Sequence, residues 1–115
     1  MRLPNQQKAI IPEMKIRGYL LSTSHPYGRY KAAFFKRFGF RAKYWELMAS
    51  ALRVHAEQYE VVRVEDTEFG SRYIVEGPLR APDGRAPIVR VVWFIEKGDD
   101  HPRLVTVYPL GGGIL

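Results

Sequence analysis

The chemistry-bearing residues of this sequence are His25, Lys31, Arg90, Thr106 and Tyr108. A histidine can move protons near neutral pH, and lysine and arginine can hold an anion. His25 stands between Ser24 and Pro26, in a loop that precedes a helix start, and helix N-termini favour bound anions. The same position also suits a turn or capping residue. His55 lies near the apolar stripe of a later helix and His101 precedes a proline in a turn, so both read as packed or surface residues. Metal-free cleavage of RNA needs a base for the 2′-hydroxyl, an acid for the leaving 5′-oxygen and cations for the crowded phosphate. His25, Lys31, Arg90 and Tyr108 are of the required types, with the Thr106 hydroxyl as a donor to phosphate. Thr106 and Tyr108 are equally ordinary strand residues.

These side chains must be positioned by helices that precede a sheet. Residues 8–11 read as an extended entry, and Pro12 suits the first turn of a helix running to about Leu21. Ser22–Gly28 breaks it, with Thr23 or Ser24 as a cap and Pro26 in the next first turn. A second helix spans about Tyr27 to Phe38, ended by Gly39, and a third spans about Ala42 to Gln58. In the third, Tyr44, Met48, Ala51, Leu52 and Tyr59 recur at helical spacing. Strands are predicted over about 59–65, 71–80, 86–96 and 103–109, joined by short turns at Pro82–Asp83–Gly84 and Lys97–Asp100. Short connections imply an antiparallel meander. The fold class is therefore α+β, with N-terminal helices packed on one face of a four-stranded antiparallel sheet. Gly111–Gly112–Gly113 reads as a flexible tail.

Alternation along the strands divides their side chains between two faces. In the third strand Val89, Val91, Trp93 and Ile95 form a core face, matched by Val105 and Val107 in the fourth. Leu104, Thr106 and Tyr108 then share the opposite face with Arg90. In the second helix Tyr27, Tyr30, Phe34, Phe35 and Phe38 form one apolar arc, and Lys31 falls inside it. Its amine either snorkels to water or reaches into a cleft at the helix–sheet boundary.

Length and charge bound what such a site could serve. The 115 residues suffice for one domain, 1–115, with a single core. The absence of cysteine excludes disulfides, thiolate metal sites and thiol nucleophiles. No His/Asp/Glu cluster stands at metal spacing, and no Gly-rich phosphate loop precedes a helix, so neither a metal nor a cofactor is expected. No apolar run approaches a membrane helix and no signal peptide is evident, which points to a soluble, cytoplasmic protein. Residues 1–57 carry 11 basic and 3 acidic residues, against 7 and 9 in residues 58–115. Between Glu13 and Glu46 there are eight basic residues and no acidic one. Such a field attracts a polyanion or an acidic protein.

Several segments together carry a resemblance: Leu3–Pro4–Asn5, His25–Pro26–Tyr27–Gly28–Arg29–Tyr30–Lys31–Ala32, Phe38–Gly39–Phe40, Trp45–Glu46–Leu47, Phe69 through Gly77, Val92–Trp93 and Pro102 through Pro109. Over nearly its whole length the chain resembles a family of small bacterial toxin-like proteins, which occur alone and as C-terminal modules of polymorphic toxins. Thr106–Val107–Tyr108–Pro109 is similar to the Thr-x-Tyr-Pro strand of toxins with the barnase–EndoU–colicin–RelE ribonuclease fold. The resemblance implies a toxin acting on RNA, neutralised by a small, acidic antitoxin protein. It places functional weight on His25, Lys31, Arg72, Thr106 and Tyr108; Arg90 rests on the strand-face argument alone. No barnase-type glutamate–histidine pair is evident.

The expected function is thus a metal-independent endoribonuclease toxin. His25 would serve as base or acid, Lys31 and Arg90 would stabilise phosphate, Thr106 and Tyr108 would position it, and Arg29 and Arg72 would bind substrate. The alternative is a non-catalytic module that binds RNA or an acidic protein through Arg29, Lys36 and Arg37.

Overall fold

The apolar side chains that alternate along the third predicted strand decide where the layers meet. In the computed structural model, which describes residues 1–110, Val89, Val91 and Trp93 are fully buried, as their spacing requires. They lie in β3 (Ile88–Glu96), between β2 (Gly70–Pro78) and β4 (Arg103–Pro109). With β1 (Val61–Thr67) these form one antiparallel sheet of order β1-β2-β3-β4. The glycine tail lies outside the described residues.

Three helices precede the sheet: α1 (Glu13–Lys15), α2 (Arg29–Lys36) and α3 (Trp45–Gln58). Short 3₁₀ turns at Gln6–Lys8 and Ala42–Tyr44 lead into them. Helix α1 runs directly into a π-helical stretch, Ile16–Leu20, closed by a bond from the Leu21 N–H to the Ile16 carbonyl. Ile16 and Leu20 are buried there and join Phe35, Phe38, Phe40, Met48 and Leu52 against Val91, Trp93 and Val107. Gly39 ends α2 as predicted, with φ at +98° and a Phe40 N–H to Phe35 carbonyl bond.

The aromatic arc of α2 divides differently from its helical projection. Phe35 and Phe38 are buried, whereas Tyr27 and Tyr30 are 79% and 70% exposed. Tyr27 precedes the helix, which starts only at Arg29. Tyr44 is also exposed, because it sits in the 3₁₀ turn before α3 rather than on its buried stripe.

One strand-face expectation is overturned. The β3–β4 register slips between Val92 and Trp93, so Thr106 faces Val92 but Leu104 faces Trp93. Val105 is the extra residue of this bulge, and parity reverses across it. Leu104 is therefore a core residue and Val105 is only half-buried. Thr106 and Tyr108 keep their predicted side, with Tyr108 opposite Arg90.

The two sheet edges are treated differently. β1 is charged and largely exposed, a composition that discourages further pairing. At β4 the entry segment pairs with the start of the strand, through Ile10 and Arg103, before α1 turns away. The rest of β4 lies beside α1 and α2, and Tyr19 of the π-helical stretch and Lys31 of α2 reach around that edge to Thr106.

Candidate active site

The loop from Leu21 to Gly28 is built around the His25 ring. Its Nδ1 accepts hydrogen bonds from the backbone N–H groups of Tyr27 (3.0 Å) and Gly28 (2.9 Å). The ring thereby satisfies donors at the start of α2, a task expected of Thr23 or Ser24; Ser24 instead bonds Ser22. With Nδ1 accepting, the hydrogen of the neutral ring resides on Nε2. Gly28 is required by space: a β-carbon there would run into the Tyr19 carbonyl oxygen. The His25-x-x-Gly28 spacing thus lets the loop lie flat on the π-helical stretch and brings the His25 and Tyr19 rings edge to face, 4.9 Å apart.

Lys31, in the first turn of α2, reaches to the helix–sheet boundary. Its Nζ donates to Thr106 Oγ1 at 2.6 Å and to Tyr19 Oη at 2.8 Å. It also lies 4.0 Å from the centroid of the Tyr108 ring and 5.0 Å from that of Tyr19. Tyr19 Oη and Thr106 Oγ1 are themselves 3.3 Å apart. Lys15, one turn before Tyr19, places its amine 5.6 Å from the same ring. Pro12, Lys15, Tyr19, His25, Thr106 and Tyr108, among others, line an open cleft of about 650 Å³, which Lys31 adjoins through its bonds to Tyr19 and Thr106. No carboxylate lines it, and neither Lys15 nor Lys31 pairs with one among the described residues.

Burial raises the pKa of the Tyr19 phenol. The hydrogen bonds from Lys31 and Thr106 and the charges of Lys31 and Lys15 outweigh it and leave the phenol below its ordinary value of 10.0. Tyr19 was not singled out by motif or composition. The available signal was its i,i+4 spacing from Lys15 on a helix leading into the His25 loop.

The structure thus brings together His25, Lys31, Thr106 and Tyr108. It does not bring all the predicted residues there. Arg90 adjoins Tyr108 in register, but its Nε is 2.6 Å from Glu76 Oε2. Arg72 lies on β2 opposite Phe94, with its Nε 3.7 Å from Glu65. It is separated from Thr106 by β3 and by about 7 Å along the strands. Arg29 donates to the Tyr30 hydroxyl (3.0 Å) and lies outside the cleft lining.

Contrary to expectation, one cluster has metal-ligand geometry. Asp99, Asp100 and His101, folded back by the turn at Gly98, bring ligand atoms within 4.8 Å of one another. Its groups are already engaged: His101 Nδ1 is 3.0 Å from Asp99 and 2.5 Å from Asp100, and Asp100 also receives Lys8. His55 is buried between α3 and β2, its Nε2 3.1 Å from the Gly77 carbonyl oxygen. No helix among the described residues is long and apolar enough to cross a membrane.

Comparison with known proteins agrees with this architecture. No curated protein matches the sequence. Over 93% of its length the chain superposes on 97% of a chain in the contact-dependent growth inhibition toxin–immunity protein complex from Klebsiella pneumoniae 342. The TM-score is 0.69 at 19% identity, a likeness of fold. Residues 2–111 match the family model described as Domain of unknown function (DUF6883), and the chain belongs to that family.

Proposed function

We propose that this DUF6883 domain is a toxin that cleaves RNA without a metal ion and is neutralised by a protein partner. One observation carries the reading: Lys31, hydrogen-bonded to Thr106 and Tyr19, adjoins a cleft lined by Lys15, Tyr19, His25, Thr106 and Tyr108, with no carboxylate among the described residues. Such a lining attracts a phosphodiester and offers no acidic ligands for a divalent cation. The fold likeness to a chain of a toxin–immunity complex supports both the toxin and the partner.

In this reading a phosphodiester displaces the contacts within the Lys31–Tyr19–Thr106 cluster. The Lys31 amine and Thr106 hydroxyl then donate to the phosphoryl oxygens as charge builds on them. Tyr108 holds the amine through its ring face. His25 presents Nε2–H, since its Nδ1 is committed to the backbone. Arg90, tied to Glu76, contributes less field at the phosphate than a free guanidinium would. Arg29 is available to the neighbouring backbone phosphates, and the target places the action in the cytoplasm. The direct test is incubation of the purified protein with labelled RNA, with and without a chelator. Cleavage that persists in chelator supports the proposal; RNA left intact under both conditions rejects it.

A second reading, a non-catalytic RNA-binding module, is favoured by Tyr27 and Tyr30, exposed beside Arg29 on the basic helix. Such rings stack on bases. It predicts a retarded but intact RNA whose binding weakens steeply with salt.

A further inference from the structure

We infer that Tyr19 is the general acid of the cleft, donating its hydroxyl proton to the leaving 5′-oxygen of the RNA. The inference rests on the ribonuclease reading and assigns the reaction to a residue outside the sequence motifs.

His25 is committed to its own loop. Its Nδ1 lone pair is shared by two backbone N–H groups, so protonating that atom would break the turn that starts α2. Nε2 then carries the hydrogen of the neutral ring, and losing it would require an imidazolate. As folded, His25 holds its loop through Nδ1 and turns Nε2 outward as a hydrogen-bond donor.

Tyr19 has the opposite arrangement. Its oxygen accepts from the Lys31 ammonium at 2.8 Å, which leaves its own hydrogen to donate elsewhere. The nearest protein acceptor is Thr106 Oγ1, at a long 3.3 Å, a contact that a bound substrate can replace. The groups facing the phenol are Lys15 from its own helix, the His25 ring from the loop, Lys31 from α2, and Thr106 and Tyr108 from β4. Among the described residues two of these groups are cations and none is a carboxylate, so the phenolate left by proton donation meets positive charge on two sides. The downward shift of the phenol has the same origin. A π-helical stretch places the residue; such stretches often occur at functional sites.

The 2′-oxygen bonds to phosphorus and gives its proton to a solvent hydroxide. The bond from phosphorus to the 5′-oxygen breaks, and its electron pair stays on that oxygen. The oxygen takes the Tyr19 proton, yielding a 2′,3′-cyclic phosphate and a free 5′-hydroxyl. The phenolate, held by Lys31, recovers a proton from water.

The test compares wild type with Tyr19→Phe, which keeps the ring and loses only the hydroxyl; circular dichroism and melting temperature confirm that both are folded. Single-turnover cleavage by the variant should be slower by about 100-fold or more at neutral pH. The wild-type rate should rise with pH and level off where Tyr19 ionises, whereas the rise in Tyr19→Phe should continue. Independently of RNA, the ultraviolet phenolate difference between the two proteins should titrate below 10.0 and move upward in Lys31→Met. A Tyr19→Phe protein with wild-type rate and the same levelling overturns the assignment while leaving the ribonuclease reading intact. Phenolate formation at or above 10.0, unmoved by Lys31→Met, overturns the charge argument behind it. Wild-type protein that leaves RNA uncut overturns the ribonuclease reading and the acid role with it.

Discussion

The β4-edge cleft and the outer face of the sheet both offer cations beside aromatic rings, yet they are electrostatically unlike. In the cleft, Lys31 is held by a hydroxyl, a phenol and two ring faces. On the sheet, Arg90 is bound to Glu76 and Arg72 lies near Glu65. A cation held by neutral groups keeps its charge for a ligand, whereas one beside a carboxylate has much of it cancelled locally. Counting basic residues does not distinguish the two regions; counting their partners does.

The sharpest way to break this contrast is Lys31→Met, which keeps the stem against Tyr108 and removes the charge. RNA cleavage should fall by about 100- to 1000-fold, with loss of growth arrest in expressing cells. An active Lys31→Met protein would mean that the cleft is not the site.

Acid sensitivity must be kept apart from cleft chemistry, and His55 supplies it. Burial holds this ring at about 4, against 6.5 ordinarily, although its bond to the Gly77 carbonyl acts the other way. The unfolded chain therefore binds the extra proton first. Stability should be complete above about pH 6.5, fall as pH drops toward 4, and level off below, a loss of about 3 kcal/mol. Urea unfolding across this range should show the fall in wild type, and His55→Gln should lack its His55 component.

The two tasks of His25 can be separated by substitution. His25→Asn can still accept backbone N–H groups, whereas His25→Ala cannot, so only the latter should lose about 1 kcal/mol of stability in urea unfolding. Both should slow cleavage by about 10-fold, through the missing Nε2–H donor. Equal stability of the two variants would show that the ring does not hold the loop.

Smaller effects test the sheet face. Glu76→Gln should release Arg90 and tighten RNA binding by about 3-fold at low salt, with a steeper salt dependence in a gel-shift titration. Arg72→Ala, across β3 from the cleft, should change cleavage by less than about 2-fold. A large loss in Arg72→Ala would extend the site over the whole face and end the contrast.

Much of the framework follows from local rules. Gly39 had to stop α2, because the helix end there adopts a positive φ. Val89, Val91 and Trp93 had to share a face because β side chains alternate. The helices-then-meander order follows from such periodicity; the grouping of Lys31 with Thr106 and Tyr108 is implied by the motif resemblance, since alternation alone leaves the reach of Lys31 open. Three decisive features are not local. The bulge that makes Leu104 core and Val105 half-buried depends on how β3 and β4 pair. The neutralisation of Arg90 depends on a carboxylate 14 residues away. The place of Tyr19 depends on Gly28 letting the His25 loop lie against its carbonyl, and on Lys31 meeting it from a different helix.

The sequence by itself determined the α+β order, the basic first half and the residue types available for phosphate chemistry. These are properties of composition, periodicity and turn residues within short windows. Only the tertiary structure decided which cations keep an uncancelled charge, that the His25 ring is spent on its own loop, and that Tyr19 completes the cleft. Those outcomes depend on contacts between distant segments. A hydrogen bond or an ion pair forms only where packing brings both partners to within about 3 Å, and packing is set by the whole core at once.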